Sequence, residues 1–295
     1  ISLITPRRPL FAAPGGPPAL ACPPAAAATR RPIGLQLYTL RDLFAKDPVK
    51  TLEQVAAIGY REVEFGGGGY DAMDPVMLRK ALDRLGLKAP SIHVGYDALL
   101  NQFDRQVTLA KTLGADTVVL PYMTDEHRTG PGWQAALPNI SRFAAQLKKA
   151  GLGFAYHNHD FEFTLKPDGV SLFDRLLKET DPSLVKVELD LYWAVRAGED
   201  AASWIDRLSD RLYAYHVKDM RADRSMAAVG QGTIDFAALF KRKGSAGVRH
   251  FYVENDQAPA PYLPDITPSF QTLRALRFSP GRSIRGWLRP TGSTQ

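Results

Sequence analysis

At 295 residues and 45% apolar composition, the chain can bury the core of one large domain or two smaller ones, which excludes an intrinsically disordered polymer. The formal charge of +6 suggests an acidic partner, but it sits at the ends: Arg7, Arg8, Arg30 and Arg31 in residues 1–32, Arg282, Arg285 and Arg289 in residues 278–295, and no acid in either. Residues 33–277 therefore sum to −1, so no nucleic-acid partner is expected.

Residues 1–32 are rich in Ala and Pro, lack helical or strand periodicity, and read as a disordered leader. Arg7-Arg8, then Leu10-Phe11 and Ala26-Ala27-Ala28, form the outline of a twin-arginine export signal, although prolines interrupt its apolar region. A working signal would place the protein in the periplasm; an untranslocated leader would leave it in the cytoplasm. Ala19-Leu20-Ala21-Cys22 faintly resembles a lipoprotein processing site. Cys22 is the sole cysteine, so neither a disulfide nor a thiolate metal site is available. No apolar run reaches the ~20 residues needed to span a bilayer. Residues 278–295 read as a disordered tail.

Between the ends, short β-rich runs alternate with amphipathic windows. Strands are expected at Ile33–Leu37, Glu62–Phe65, Ala89–Val94, Thr117–Leu120, Gly153–Asn158, Val185–Asp190, Leu212–Val217 and Phe251–Glu254. Helices are expected at Val49–Ile58, Pro75–Leu85, Phe103–Leu113, Trp133–Ala150, Ser171–Lys178, Ala201–Leu208, Phe236–Lys241 and Ser269–Leu276. Asp47-Pro48 and Asp74-Pro75 each set a capping acid before a first-turn proline. Eight such repeats within residues 33–277 match an α/β fold, a single (β/α)8 TIM barrel, better than an open doubly wound sheet. The glycine run 66–69 follows the second strand and lacks the Lys and Ser/Thr of a phosphate loop, so it reads as a flexible loop beside a ligand.

In a closed barrel the C-terminal strand ends carry the chemistry. Tyr156-His157-Asn158-His159 ends the fifth strand, Asp190 the sixth, and Glu254 the eighth, while His216 lies at the end of the seventh. Alternation puts His157 with His159, and Glu188 with Asp190, on shared strand faces. His157, Asp190, His216 and Glu254 thus form a His/carboxylate set suited to Zn, Mn, Fe or Co. His250, at the opposite strand end, is expected to be structural.

Gly34-Leu35-Gln36-Leu37-Tyr38-Thr39, the Tyr156–His159 run, Asp190-Leu191, His216-Val217-Lys218-Asp219, Gly230-Gln231-Gly232 with Asp235-Phe236, and Val253-Glu254 follow one another in a distinctive order. In that order and spacing the chain resembles the xylose-isomerase-like barrels, the sugar phosphate isomerase/epimerase group that includes inosose dehydratases, dehydroshikimate dehydratases and apurinic endonucleases. The resemblance implies a divalent cation (Mn, Zn, Co, Fe or Mg) on neighbouring oxygens of a small sugar or polyol substrate. It also implies proton abstraction beside a carbonyl through an enediolate. His157-Asn158 stands where many members have Glu-Asn, so a two-glutamate epimerisation does not carry over directly. Catalytic roles fall to Glu254, His159 and His157.

Glu64 and His93 are candidates for substrate hydroxyls or for the second acid/base, with a salt bridge from Glu64 to Arg61 or Lys88 as its alternative. Lys218 is a candidate for a substrate oxygen or anion. Trp193 and Tyr192 are candidates for walling the sugar, Asp219 for capping the next helix, and the Gly230–Gly232 loop for covering the site. Trp193, at the position three after Asp190, is not histidine, which with the near-neutral barrel argues against a nuclease. The expected function is a metal-dependent sugar isomerase or epimerase. A lyase, either an inosose-type dehydratase or a keto-glycoside-cleaving enzyme, is the alternative, and a non-catalytic sugar-binding barrel is disfavoured by the intact ligand set. Assembly into a homo-oligomer stays open.

Overall fold

Eight short strands close into a wholly parallel barrel because each strand is followed by a helical stretch long enough to carry the chain back to its starting end. The computed structural model describes Ile1 and residues 31–276. The expected leader and tail lie almost wholly outside those residues. At the leader's inner edge, Arg31 donates to the Ala246 carbonyl at 3.2 Å.

The barrel strands are β1 (Gly34–Gln36), β2 (Glu62–Phe65), β3 (Lys88–His93), β4 (Thr117–Leu120), β5 (Gly153–His157), β6 (Val185–Asp190) and β7 (Leu212–Val217). The small antiparallel pair β8 (Asp219–Met220) and β9 (Met226–Ala227) follows, and β10 (His250–Val253) closes the barrel against β1. The first strand is shorter than expected because Leu37–Leu40 curls into a 3-10 turn, where the Gln36 side chain accepts from Tyr38 N. The last helix begins six residues before the expected Ser269, at Leu263, with Pro264 in its first turn. The window expected at Phe236–Lys241 holds only Phe236–Leu239 as α-helix. Helices at Arg41–Lys46, Tyr96–Asn101, Phe161–Thr164 and Leu191–Arg196 have no counterpart in the expected pattern.

Both capping acids act as expected: Asp47 accepts from Lys50 N at 2.9 Å and Asp74 from Val76 N at 2.8 Å. The main apolar core lies between the strands and the surrounding helices. Inside the ring, Val119, Ala155, Tyr213, Ala214 and Tyr252 form a smaller buried apolar cluster. Tyr252 crosses beside Gly34, where a Cβ would run into its ring. Small residues thus leave room for the rings of Tyr213 and Tyr252 in the interior. His250 opens β10 at the end of the barrel away from the other strand-end histidines, with Nδ1 2.8 Å from Glu62 Oε2. No described helix is long and apolar enough to cross a membrane.

Candidate metal and acid–base site

Register places the chemistry. Gln36 pairs with Glu64, His157 with Glu188, and Asp190 with His216, so the two side chains of each pair stand side by side on neighbouring strands. His157, Glu188, Asp190, His216 and Lys218 are each 2% exposed or less, so every charge here must be answered by a neighbour.

His216 is at the centre. Its Nε2 lies 2.8 Å from Glu64 Oε2 and 2.9 Å from Glu188 Oε1, and its Nδ1 lies 2.7 Å from Glu254 Oε2. Burial alone would lower its pKa, but Glu188 and Glu254 outweigh that and hold it well above the ordinary histidine value. His93 Nε2 meets the same two carboxylates, Glu64 at 3.0 Å and Glu188 at 2.9 Å, which outweigh burial and raise it to about 9. Glu188 is driven down by His216 and His93 against the effect of burial.

Lys218 forms a second knot, 2.9 Å from Asp190 Oδ2, 2.7 Å from Glu254 Oε2 and 3.1 Å from Asp256 Oδ2. Burial opposes its charge, yet Asp190, Asp256 and Glu254 keep its pKa well above the usual lysine value. Burial would raise Glu254, but Lys218 and His216 hold it well below the carboxylate range. Burial pushes Asp256 up to about 6. His157 and His159 are both lowered well below the ordinary value, by burial first and then by the positive charge of His216 and of Lys218 respectively. Both imidazoles are therefore neutral.

Does the expected cation fit here? Ligand atoms of His157, Asp190 and His216 lie within 4.8 Å of one another, and the buried Nδ1 of His157 has no hydrogen-bond partner. Two imidazoles and a carboxylate suit a borderline divalent cation, so the residues fit. Glu254, the fourth expected ligand, is tied to His216 and Lys218. A second group of ligand atoms, from Glu64, His93, Glu188 and His216, also lies within 4.8 Å.

Above these groups opens a cavity of about 440 Å³ lined by Tyr38, Gly66, Gly67, His93, Pro121, Tyr122, His157, His159, Lys218, Glu254 and Asp256. Of the expected substrate-binding residues, His93 and Lys218 face it. Glu64 lies beneath, accepting from Gln36 Nε2 at 2.8 Å and Ser91 Oγ at 2.5 Å, so it forms no salt bridge with Arg61 or Lys88. Trp193 stands behind the wall, 5.6 Å from Lys218 Nζ and 5.3 Å from the His159 ring. Tyr192 is buried and donates to the Arg224 carbonyl. Asp219 caps no helix; it accepts from the amides of Gly230, Gly232 and Ile234 and so shapes the loop 230–232. Asp235 caps the helix that follows.

Sequence reasoning gave no site role to Glu188, Asp256, Glu162 or Gln36. Glu188 and Asp256 sit two residues from Asp190 and Glu254, so strand alternation carried a signal for Glu188. Glu162 did not announce itself. It accepts from Tyr156 Oη and His159 N at 2.7 Å each, and burial raises it to about 8, so it supports the His159 turn as a neutral acid.

A family model described as a xylose isomerase-like TIM barrel matches residues 52–261. An inosose dehydratase of Geobacillus kaustophilus is 25% identical over 244 residues, 69% of this chain and 77% of that protein. One from Lacticaseibacillus casei is 23% identical over 251 residues, 72% of this chain and 83% of the relative. A solved structure of a sugar phosphate isomerase/epimerase from Parabacteroides distasonis superposes with a TM-score of 0.71 at 25% identity, covering 82% of this chain and 97% of that one.

Proposed function

The chain belongs to the xylose isomerase-like TIM barrel family, and from that premise we propose that it is a metal-dependent lyase that eliminates water or an alcohol from a sugar or cyclic polyol ketone. One observation carries the reading: the fifth-strand groups in the pocket, three strands round the barrel from Glu254, are the imidazoles of His157 and His159, with no carboxylate there. A two-carboxylate proton exchange needs a matched pair, whereas elimination needs a base and a separate acid whose environments push their pKa values apart.

When bound, a divalent cation held by His157, Asp190 and His216, with Glu254 beside it, would supply Lewis acidity to neighbouring substrate oxygens. Neutral His159 takes the proton from the carbon next to the carbonyl. Lys218 fixes a substrate oxygen and offsets the negative charge that develops there. His93, protonated at neutral pH, gives its proton to the departing oxygen as the carbon–carbon double bond forms. The relatives named inosose dehydratase support elimination. A second reading, isomerisation or epimerisation through the same enediolate, is supported by the similarity to the Parabacteroides distasonis protein.

The test is proton NMR in deuterated water, with Mn²⁺ or Co²⁺ and a panel of inososes, ketoses and keto-glycosides. Elimination gives an unsaturated ketone, and His159→Gln should slow its formation on the order of 10²- to 10⁴-fold. Deuterium incorporation that yields only saturated epimers overturns the lyase reading, and neither exchange nor an unsaturated product with any substrate overturns both.

A further inference from the structure

We propose that the pocket receives a two-ring ligand, a glycoside whose sugar ketone sits on the charged floor while a second ring lies across Tyr38 and Tyr122. This rests on the sugar-ketone reading above and extends it to substrate size. Tyr38 is 40% and Tyr122 45% exposed, and no other aromatic side chain among the described residues is left so open. Both line this one cavity. Two rings turned toward water at one opening present a surface for a ligand.

The two rings come from different sides of the mouth. Tyr38 follows β1 and Tyr122 follows β4, three positions apart round the eight-strand ring. Each is also held in place. The Arg41 guanidinium lies 4.4 Å from the Tyr38 ring centre and donates to the Tyr38 carbonyl at 2.9 Å and the Asp256 carbonyl at 3.3 Å. A Cβ on Gly67 would stand 2.6 Å from Tyr38 Cδ2, and its φ of +70° already favours glycine, so this residue leaves the ring its place. On the other side, the Arg128 guanidinium lies 4.3 Å from the Tyr122 ring centre and 4.0 Å from that of Phe161, anchored by its bond to the Met123 carbonyl at 2.7 Å.

The arginines cover part of each ring, and the exposed remainder is aromatic surface suited to the C–H face of a sugar or to an aryl ring. Tyr122 also meets His159 edge-on at 5.1 Å, so the rim is continuous with the floor. A cavity of about 440 Å³ falls in the range that encloses drug-sized ligands.

Calorimetric titration with glucose, cellobiose and phenyl β-glucoside tests this without turnover, since none of the three carries the ring ketone. The two-ring probes should bind about ten-fold more tightly than glucose, the expected gain from one well-placed stack. Tyr38→Ala and Tyr122→Ala should each bring that ratio towards one, and Tyr38→Phe and Tyr122→Phe should keep it. Equal affinities in the unaltered protein, a ratio that survives both alanine variants, or no binding of any probe overturns the subsite. The NMR result is read separately, so the subsite can fail while the elimination stands, and the reverse.

Discussion

Glu188 Oε1 stands 2.9 Å from His216 Nε2, and both side chains are fully buried. The same oxygen lies 2.9 Å from His93 Nε2, so one carboxylate fixes two imidazoles. If the proton of His216 is held at Nε2, its Nδ1, which faces Glu254 Oε2 at 2.7 Å, carries the lone pair that would meet a cation, the arrangement in which an outer carboxylate orients a ligating histidine. Glu188→Gln should therefore cut divalent-metal affinity about 10- to 100-fold and lower stability by about 3 kcal/mol. Equilibrium dialysis and denaturant unfolding of the same protein check both; unchanged metal affinity would leave Glu188 a purely structural group.

Chelation should remove activity and lower the melting temperature, and Mn²⁺ or Co²⁺ should restore both, because an ion that binds only the folded state stabilises it. His157→Ala and His216→Ala should purify with less metal by elemental analysis. Full metal content in both variants would assign the ion to other residues.

His157→Glu restores a carboxylate on the fifth strand. The expected outcome in the NMR assay is a shift from unsaturated to saturated, epimerised product at constant metal content. A variant that yields the unaltered product ratio would show that the fifth-strand residue does not choose the reaction.

Glu162 gives stability a specific pH dependence. Below about pH 4.5 its carboxyl is protonated in both folded and unfolded chains; between there and about 8 only the folded chain keeps the proton. The unfolded state then binds fewer protons, so this group's contribution falls as pH rises through that window and is level above it, a change on the order of 5 kcal/mol. Glu162→Gln should abolish that slope, read as the difference between the two proteins in urea unfolding at pH 5, 6, 7 and 8.

Gly34→Ala should destabilise the barrel by about 2 kcal/mol, because the new Cβ meets Tyr252 Cδ1 and lies 2.7 Å from Cε1 within a closed ring that has nowhere to shift. Tyr252 Oη is 2.9 Å from Ser91 Oγ, which bonds Glu64, so activity should fall as well. A melting temperature within a degree of the parent would contradict the packing argument.

Period-two alternation and turn chemistry are local, and they were readable in the chain: eight strand positions, the capping acids Asp47 and Asp74, and His157, Asp190, His216 and Glu254 at or near one end of the strands. Partnership is not local. Glu64 and His216 are 152 residues apart, and only closure of the ring sets their side chains 2.8 Å from each other. The same closure sends Lys218 into the carboxylates, holds Glu254 well below the carboxylate range, and leaves His159 neutral. Alternation tells which face a side chain takes, whereas its charge state depends on burial and on which distant charges arrive beside it. His157 could be located from the sequence, but its neutral state and unpartnered Nδ1 were decided by the packed barrel.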